Sequence, residues 1–347
     1  KLIKTLPKAF RIETLGYSEQ QRPIYGLRVG TGATKVMIWS QMHGNESTCT
    51  KALFDVFNFL VEKDYQSTLT QCALLIIPIL NPDGAAAYTR HNANNVDLNR
   101  DAVNLTQIES KVLRSVFDSF RPDFGFNMHD QRTLFSVGQS NKPATVSFLS
   151  PAQDDSCSLS ANRLRAMSLI HQMNKVLQQL VPGQVGRYND AFNINCVGDY
   201  FQAQNVATVL FEAGHYQNDY NREETRKLIV ISILKALSSI GSIDFSENDY
   251  SSYTAIPENG NLFFDVLLKN ITVLENDHEI NIDVGISYEE ALEDGKILFI
   301  PKLKSKGDLS AYFGHHTIDL QSRSLDSSAE ARELLGTGFC DIFTKTH

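Results

Sequence analysis

The nine residues "CALLIIPIL", Cys72–Leu80, constrain the fold of this chain more than any other stretch. A strand with one wet face alternates apolar and polar residues, so an unbroken apolar run implies burial on both faces. Such a strand needs helices above and below it, which is the layering of an α/β sheet. The run ends in "NPDG", a turn signature.

The neighbouring segments fit that frame. "NESTCTKALFDVFNFLVEK" carries Leu53, Val56, Phe57 and Leu60 at the i, i+3, i+4, i+7 spacing of a helix with one buried face. Further helices are expected at "LTQIESKVLRSVFDSF", "ANRLRAMSLIHQMNKVLQQL" and "NREETRKLIVISILKALSSI", and strands at "DFGFNM" and "VATVLF". "PIYGLRV" and "KVMIWS" flank "GTGAT". Without a following GK[ST] and helix, that GxG reads as a hairpin turn and not as a phosphate loop. The alternation predicts a mixed, largely parallel sheet flanked by helices. From Gly241 to Asn261 the chain turns rich in Ser, Asp, Asn and Gly, the composition of a linker. Beyond it, Leu262, Phe263, Val266, Ile297 and Phe299 suggest strands with a modest core of their own. The expected division is a catalytic domain over 1–243, then a linker and smaller β-rich domain over 244–347.

At 347 residues, 42% hydrophobic and 21% charged, the chain can bury a sizeable core. Its net charge of −8 argues against nucleic acid or an anionic membrane surface as partner. No apolar run reaches the roughly 18 residues of a membrane span. Five cysteines, scattered and without CxxC spacing, fit reduced core thiols and favour a cytoplasmic setting. The chain begins without Met, so a trimmed leader stays open.

Chemistry gathers where strands end. "SQMHGNEST" places His43 and Glu46 three apart, after a core strand and before a helix, at the sheet edge where α/β proteins bind ligands. On one side of a helical turn, an imidazole and a carboxylate can each take one position around zinc. "DFGFNMHD" ends its strand in His129, a third donor that leaves the fourth position open, as in a catalytic zinc site. Glu212 follows "VATVLF" and is a candidate base for water. "AYTRHNANNVDLNRD" supplies Arg90, Asn99 and Arg100 on a polar loop.

In this order, "HGNE", "NPDG", Arg90, "VDLNRD", His129 and Glu212 resemble the M14 zinc carboxypeptidases over about residues 36–240. The resemblance implies one zinc per chain held by His43, Glu46 and His129, with Glu212 as general base and acid. It implies that Arg90 polarises the scissile carbonyl and that Asn99 and Arg100 grip a terminal carboxylate. The Glu46–His129 gap is shorter than in the digestive enzymes. It is closer to the compact branch near succinylglutamate desuccinylase and aspartoacylase, which also carries a β-rich C-terminal domain. Tyr188 lies near the place of the digestive enzymes' mobile tyrosine, and the side-chain pocket is expected around Cys196–Tyr200. The leading expectation is a metallocarboxypeptidase acting on peptides with a free carboxylate. The alternative is an amidohydrolase of N-acyl amino acids. A non-catalytic binding protein would have lost a ligand or the base, and all four residues are present.

Overall fold

The computed structural model describes residues 6–241, 248–275 and 278–322. They divide into two units, one within residues 6–131 and 144–259 and one within residues 132–143 and 260–322. Cys340 lies outside the described residues; Cys49, Cys72, Cys157 and Cys196 are free thiols.

The first unit contains β1 (Arg11–Tyr17), β2 (Pro23–Val29), β3 (Thr34–Ser40), α1 (Thr48–Leu60), α2 (Gln66–Gln71), β4 (Cys72–Ile77), α3 (Pro82–Ala87), α4 (Ile108–Phe120) and β5 (Phe124–Asp130). After β6 (Phe135–Val137), which belongs to the second unit, come β7 (Val146–Leu149), α5 (Ala161–Leu180), β8 (Val185–Arg187), α6 (Val197–Ala203), β9 (Ala207–Ala213), α7 (Glu223–Ile240) and α8 (Asn248–Thr254). Eight strands form one sheet in the order β1-β2-β4-β3-β5-β9-β7-β8. Its centre, β4-β3-β5-β9, is parallel throughout.

Burial on both faces is visible strand by strand. Val36 and Ile38 of β3 and Leu74 and Ile76 of β4 enter the core shared with α1, α5 and α7. Their neighbours Met37, Trp39, Leu75 and Ile77 enter the opposite core, with α4 and α6. Two apolar faces on one strand are what the unbroken run required.

The expected hairpin at "GTGAT" does not form. β4 lies between β2 and β3, pairing antiparallel with the first and parallel with the second. The loop instead passes over the start of β4, so closely that a Cβ on Gly32 would come within 1.8 Å of the Gln71 carbonyl carbon. The glycines serve a backbone crossing, not a tight turn.

The linker reading is corrected in part. Residues 248–254 form α8, and Tyr253, 1% exposed, belongs to the first unit's core. Its hydroxyl accepts from Ser150 N at 3.2 Å. The division therefore falls after Asn259, not after residue 243, and Arg132–Pro143 groups with the second unit out of chain order.

The chain continues through β10 (Asn259–Asn261) into β11 (Phe263–Glu275), β12 (His278–Glu293), β13 (Lys296–Gly307) and β14 (Phe313–Asp319). The last four form a sheet in the order β13-β12-β11-β14 around Val266, Leu268, Ile271, Val284 and Ile286. Val266 and Phe263 are buried as expected, but Ile297 and Phe299 are not. They pair with the end of β12 beyond Ile286, where β11 no longer covers it.

Candidate active site

The loop between β3 and α1 is held open by backbone bonds to the segment after β4. Leu80 N donates to Ser40 O at 3.1 Å, Asn81 N to Gln41 O at 3.1 Å, Gly44 N to Arg90 O at 3.3 Å and Asn45 N to Thr89 O at 3.1 Å. Gly44 lies flat on Gly84, leaving no room for a side chain: a Cβ there would meet the Gly84 carbonyl carbon at 1.9 Å. The Asn81 side chain accepts from Gly84 N and donates to Met42 O. "NPDG" is thus the buttress of "HGNE".

His43 and Glu46 precede α1 and occupy a turn closed by Glu46 N donating to His43 O at 3.1 Å, not the helical turn expected. The i, i+3 convergence survives, because a turn brings those positions together as a helix does. His129 extends from the end of β5. The Nδ1 atoms of His43 and His129 are 3.1 Å apart. Glu46 Oε1 lies 2.8 Å from the first and Oε2 2.9 Å from the second. All three residues are buried, and among the described residues this is the only group of its kind, with its ligand atoms within 4.8 Å of one another.

That donor set fits zinc. Ligand atoms at the usual zinc distances of about 2.0–2.1 Å lie about 3.3 Å apart around a tetrahedron. Two imidazole nitrogens aimed at each other and at one carboxylate call for a shared cation. Among the described residues only three such donors meet, leaving a position for water or substrate.

Asp97, to which sequence reading gave no role, organises the surroundings. Its Oδ1 accepts from His43 Nε2 at 3.0 Å and from Asn99 N at 2.8 Å. Its Oδ2 accepts from Arg90 Nη2 at 2.9 Å and Nε at 3.2 Å. A proton on His43 Nε2 leaves the Nδ1 lone pair facing the cluster. Burial alone would raise the Asp97 carboxyl, but the His43 hydrogen bond and the His43 and Arg90 charges hold it well below the carboxylate range. For His43, burial opposes protonation and the bonds to Asp97 and Glu46 outweigh it, so its pKa is raised. For His129 burial prevails and its pKa is lowered.

Arg90 Nη1 also reaches Glu46 Oε1 at 3.3 Å, so its charge borders the cluster. Asn99 and Arg100 are joined to the region that follows them in space. Asn99 Oδ1 accepts from Val197 N at 3.0 Å, and Arg100 Nη1 donates to Cys196 Sγ at 3.2 Å. The segment expected to form the side-chain pocket thus lies against the pair expected to bind a carboxylate.

Glu212 lies within β9, not after it, and sits beside His129 in the parallel β5–β9 register. Paired residues of adjacent strands share a face, so its carboxylate belongs to the same edge. Burial, then the negative charges of Glu46 and Asp130, push that carboxyl well above the usual range, with Arg90 opposing. Among the described residues no hydrogen bond holds it. Tyr188 donates to Gln131 Oε1 at 2.9 Å, and burial raises its pKa. A cavity of about 1040 Å³ is lined by Arg22, Thr50, Phe54 and Arg226 and by none of these candidate residues.

A helix-flanked parallel sheet with a His–Glu–His cluster at its carboxyl edge is the framework of a metallohydrolase. The sequence pattern of zinc carboxypeptidases matches residues 1–195, more than half of the chain, and the chain belongs to that family. The match ends before Glu212. A probable carboxypeptidase 2 from Arthroderma benhamiae is 29% identical over 113 residues, which are 31% of this chain and 21% of that protein. Carboxypeptidase SOL1 from Arabidopsis thaliana is 26% identical over 147 residues, 36% of this chain and 30% of that protein. The aligned regions therefore span only about a fifth to a third of these relatives' lengths. Among solved structures, a metallo-carboxypeptidase from Burkholderia cenocepacia superposes with a TM-score of 0.54 at 17% identity, covering 68% of this chain and 66% of that one. Carboxypeptidase A from Helicoverpa armigera does so with a TM-score of 0.52 at 18% identity, covering 70% and 72%. These likenesses show the fold. No helix among the described residues is long and apolar enough to cross a membrane.

Proposed function

We propose that the chain is a zinc-dependent carboxypeptidase that removes the C-terminal residue of a peptide. The observation that carries this reading is the buried cluster of His43 Nδ1, Glu46 and His129 Nδ1, with its ligand atoms within 4.8 Å. These residues would hold one zinc, which would supply a Lewis acid at the scissile bond. Glu212 takes a proton from the attacking water and returns it to the leaving amine. Arg90 meets the negative charge that develops on the scissile carbonyl oxygen. Asn99 and Arg100 hold the substrate's terminal carboxylate through charge-assisted hydrogen bonds, which makes the enzyme an exopeptidase. A cytoplasmic setting belongs to the same reading and is supported by four free thiols.

The test is an assay of zinc-loaded protein on short peptides with free C-termini beside N-acyl amino acids. Release of the C-terminal residue, abolished by C-terminal amidation, is the expected result. Preferential hydrolysis of the N-acyl amino acids would move the function to the amidohydrolase alternative. Equal cleavage of amidated and free peptides would overturn the exopeptidase reading.

A further inference from the structure

Asp130, beside the candidate ligand His129, has a side chain only 2% exposed. Its Oδ2 accepts from Thr48 N at 2.7 Å and its Oδ1 from Cys49 N at 3.2 Å, both in the first turn of α1. Its backbone N–H donates to Glu46 Oε2 at 3.2 Å. Cys49 Sγ adds a contact to His129 O at 3.1 Å. Arg222 Nη1 stands 3.8 Å from Asp130 Oδ2 and 3.3 Å from Gln131 O.

The first N–H groups of a helix need an acceptor from outside it, usually the N-cap side chain in an extended conformation. Ser47 cannot serve: it is in the right-handed helical region (φ −103°, ψ −7°) and makes no side-chain cap bond. The acceptor comes instead from β5, 82 residues further along the chain. A local cap would satisfy the helix without joining it to anything. This one bolts the segment bearing Glu46 to the strand bearing His129.

We propose that Asp130 is a positioning residue for the metal: a clamp between β5 and α1 that sets the Glu46–His129 separation, with Arg222 as its counter-ion. A clamp that holds Glu46 Oε2 2.9 Å from His129 Nδ1 spares metal binding the ordering of that loop. Groups that orient metal ligands govern affinity by about 10–100-fold when removed. The proposal rests on the zinc reading of the three donors.

The experiment measures zinc affinity by competition with a colorimetric chelator, alongside thermal melting, in wild type, Asp130→Asn and Asp219→Asn. Asp219 caps α7 through Glu223 N, Glu224 N and Thr225 N, in the role Asp130 has at α1. Its variant therefore controls for the loss of a helix cap alone. Asn keeps the shape of Asp but replaces one acceptor by a donor that faces a backbone N–H. Both variants should melt earlier. Only Asp130→Asn should bind zinc more weakly, by about 10–100-fold. Arg222→Gln keeps the Asp130 bonds without their counter-ion and is the second variant should Asp130→Asn fail to fold; it should weaken zinc by a smaller factor. Wild-type affinity in Asp130→Asn and Arg222→Gln, or equal weakening in Asp219→Asn, overturns the clamp. A wild-type protein that binds no zinc overturns the zinc reading itself, a distinct result.

Discussion

His43 can offer Nδ1 to a metal because Asp97 occupies its Nε2, and the same carboxylate fixes Arg90 and the backbone of Asn99. One half-buried anion therefore holds the candidate ligand, the candidate oxyanion group and the proposed substrate clamp. The roles still separate on mutation. On the proposed mechanism Arg90→Ala removes a charge used in the transition state, so kcat should fall by about 10²–10³-fold. On the same proposal Arg100→Ala removes a grip on a carboxylate already present in the ground state, so KM should rise with kcat nearly kept. Steady-state kinetics that show the same change in both variants would contradict this division. Glu212→Gln should bind zinc normally and lose about 10²–10⁴-fold in kcat; near-normal turnover with zinc content confirmed would remove Glu212 from the mechanism. The donors were legible because HxxE is local and His129 ends a recognisable strand. Asp97 and Asp130 were not, since the partners that link them to the cluster, His43 for the one and the first turn of α1 for the other, lie 54 and more than 80 residues away in the chain.

Elements carry the next layer. α5 and α7 were readable from periodicity nearly to the residue, whereas β2 was assigned the wrong neighbour. Helix bonds are local; a strand's partner is not written in its own residues. The short helix α6 has no counterpart among the expected elements, yet it backs the proposed carboxylate clamp through Val197 N and Cys196. Within it, Asp199 accepts from Asn193 N at 3.1 Å, and burial pushes its carboxyl up to about 6. A raised carboxyl pKa contributes stability that is full below the unfolded value and is lost as pH rises through the folded one. The loss should amount to about 3 kcal/mol between about pH 4 and 6. Asp199→Asn should thus match wild type near pH 4 and be more stable at pH 8. Denaturant melts at both pH values check this, and an equal difference at both would refute it.

At the scale of the molecule, the candidate metal joins points that the chain keeps far apart. His43 and Glu46 lie before α1, and His129 lies at the end of β5 after four intervening helices. A bound ion therefore closes a long loop in the first unit, and no second group of three such donors exists among the described residues. The boundary between the units was beyond sequence reading for a related reason: Arg132–Pro143 leaves the first unit directly after the ligand strand and joins strands more than a hundred residues later. Anything that binds only the folded state stabilises it, by about 4 kcal/mol at a thousandfold excess over Kd. For a unit of this size that is roughly 10 °C in Tm. Zinc-loaded protein should therefore melt roughly 10 °C above chelator-treated protein, and re-addition of zinc should restore the difference. His129→Ala should melt at one temperature with or without zinc, because two remaining donors bind too weakly to matter at the same concentration. A wild-type Tm indifferent to both chelator and zinc would show that the cluster holds no ion in solution.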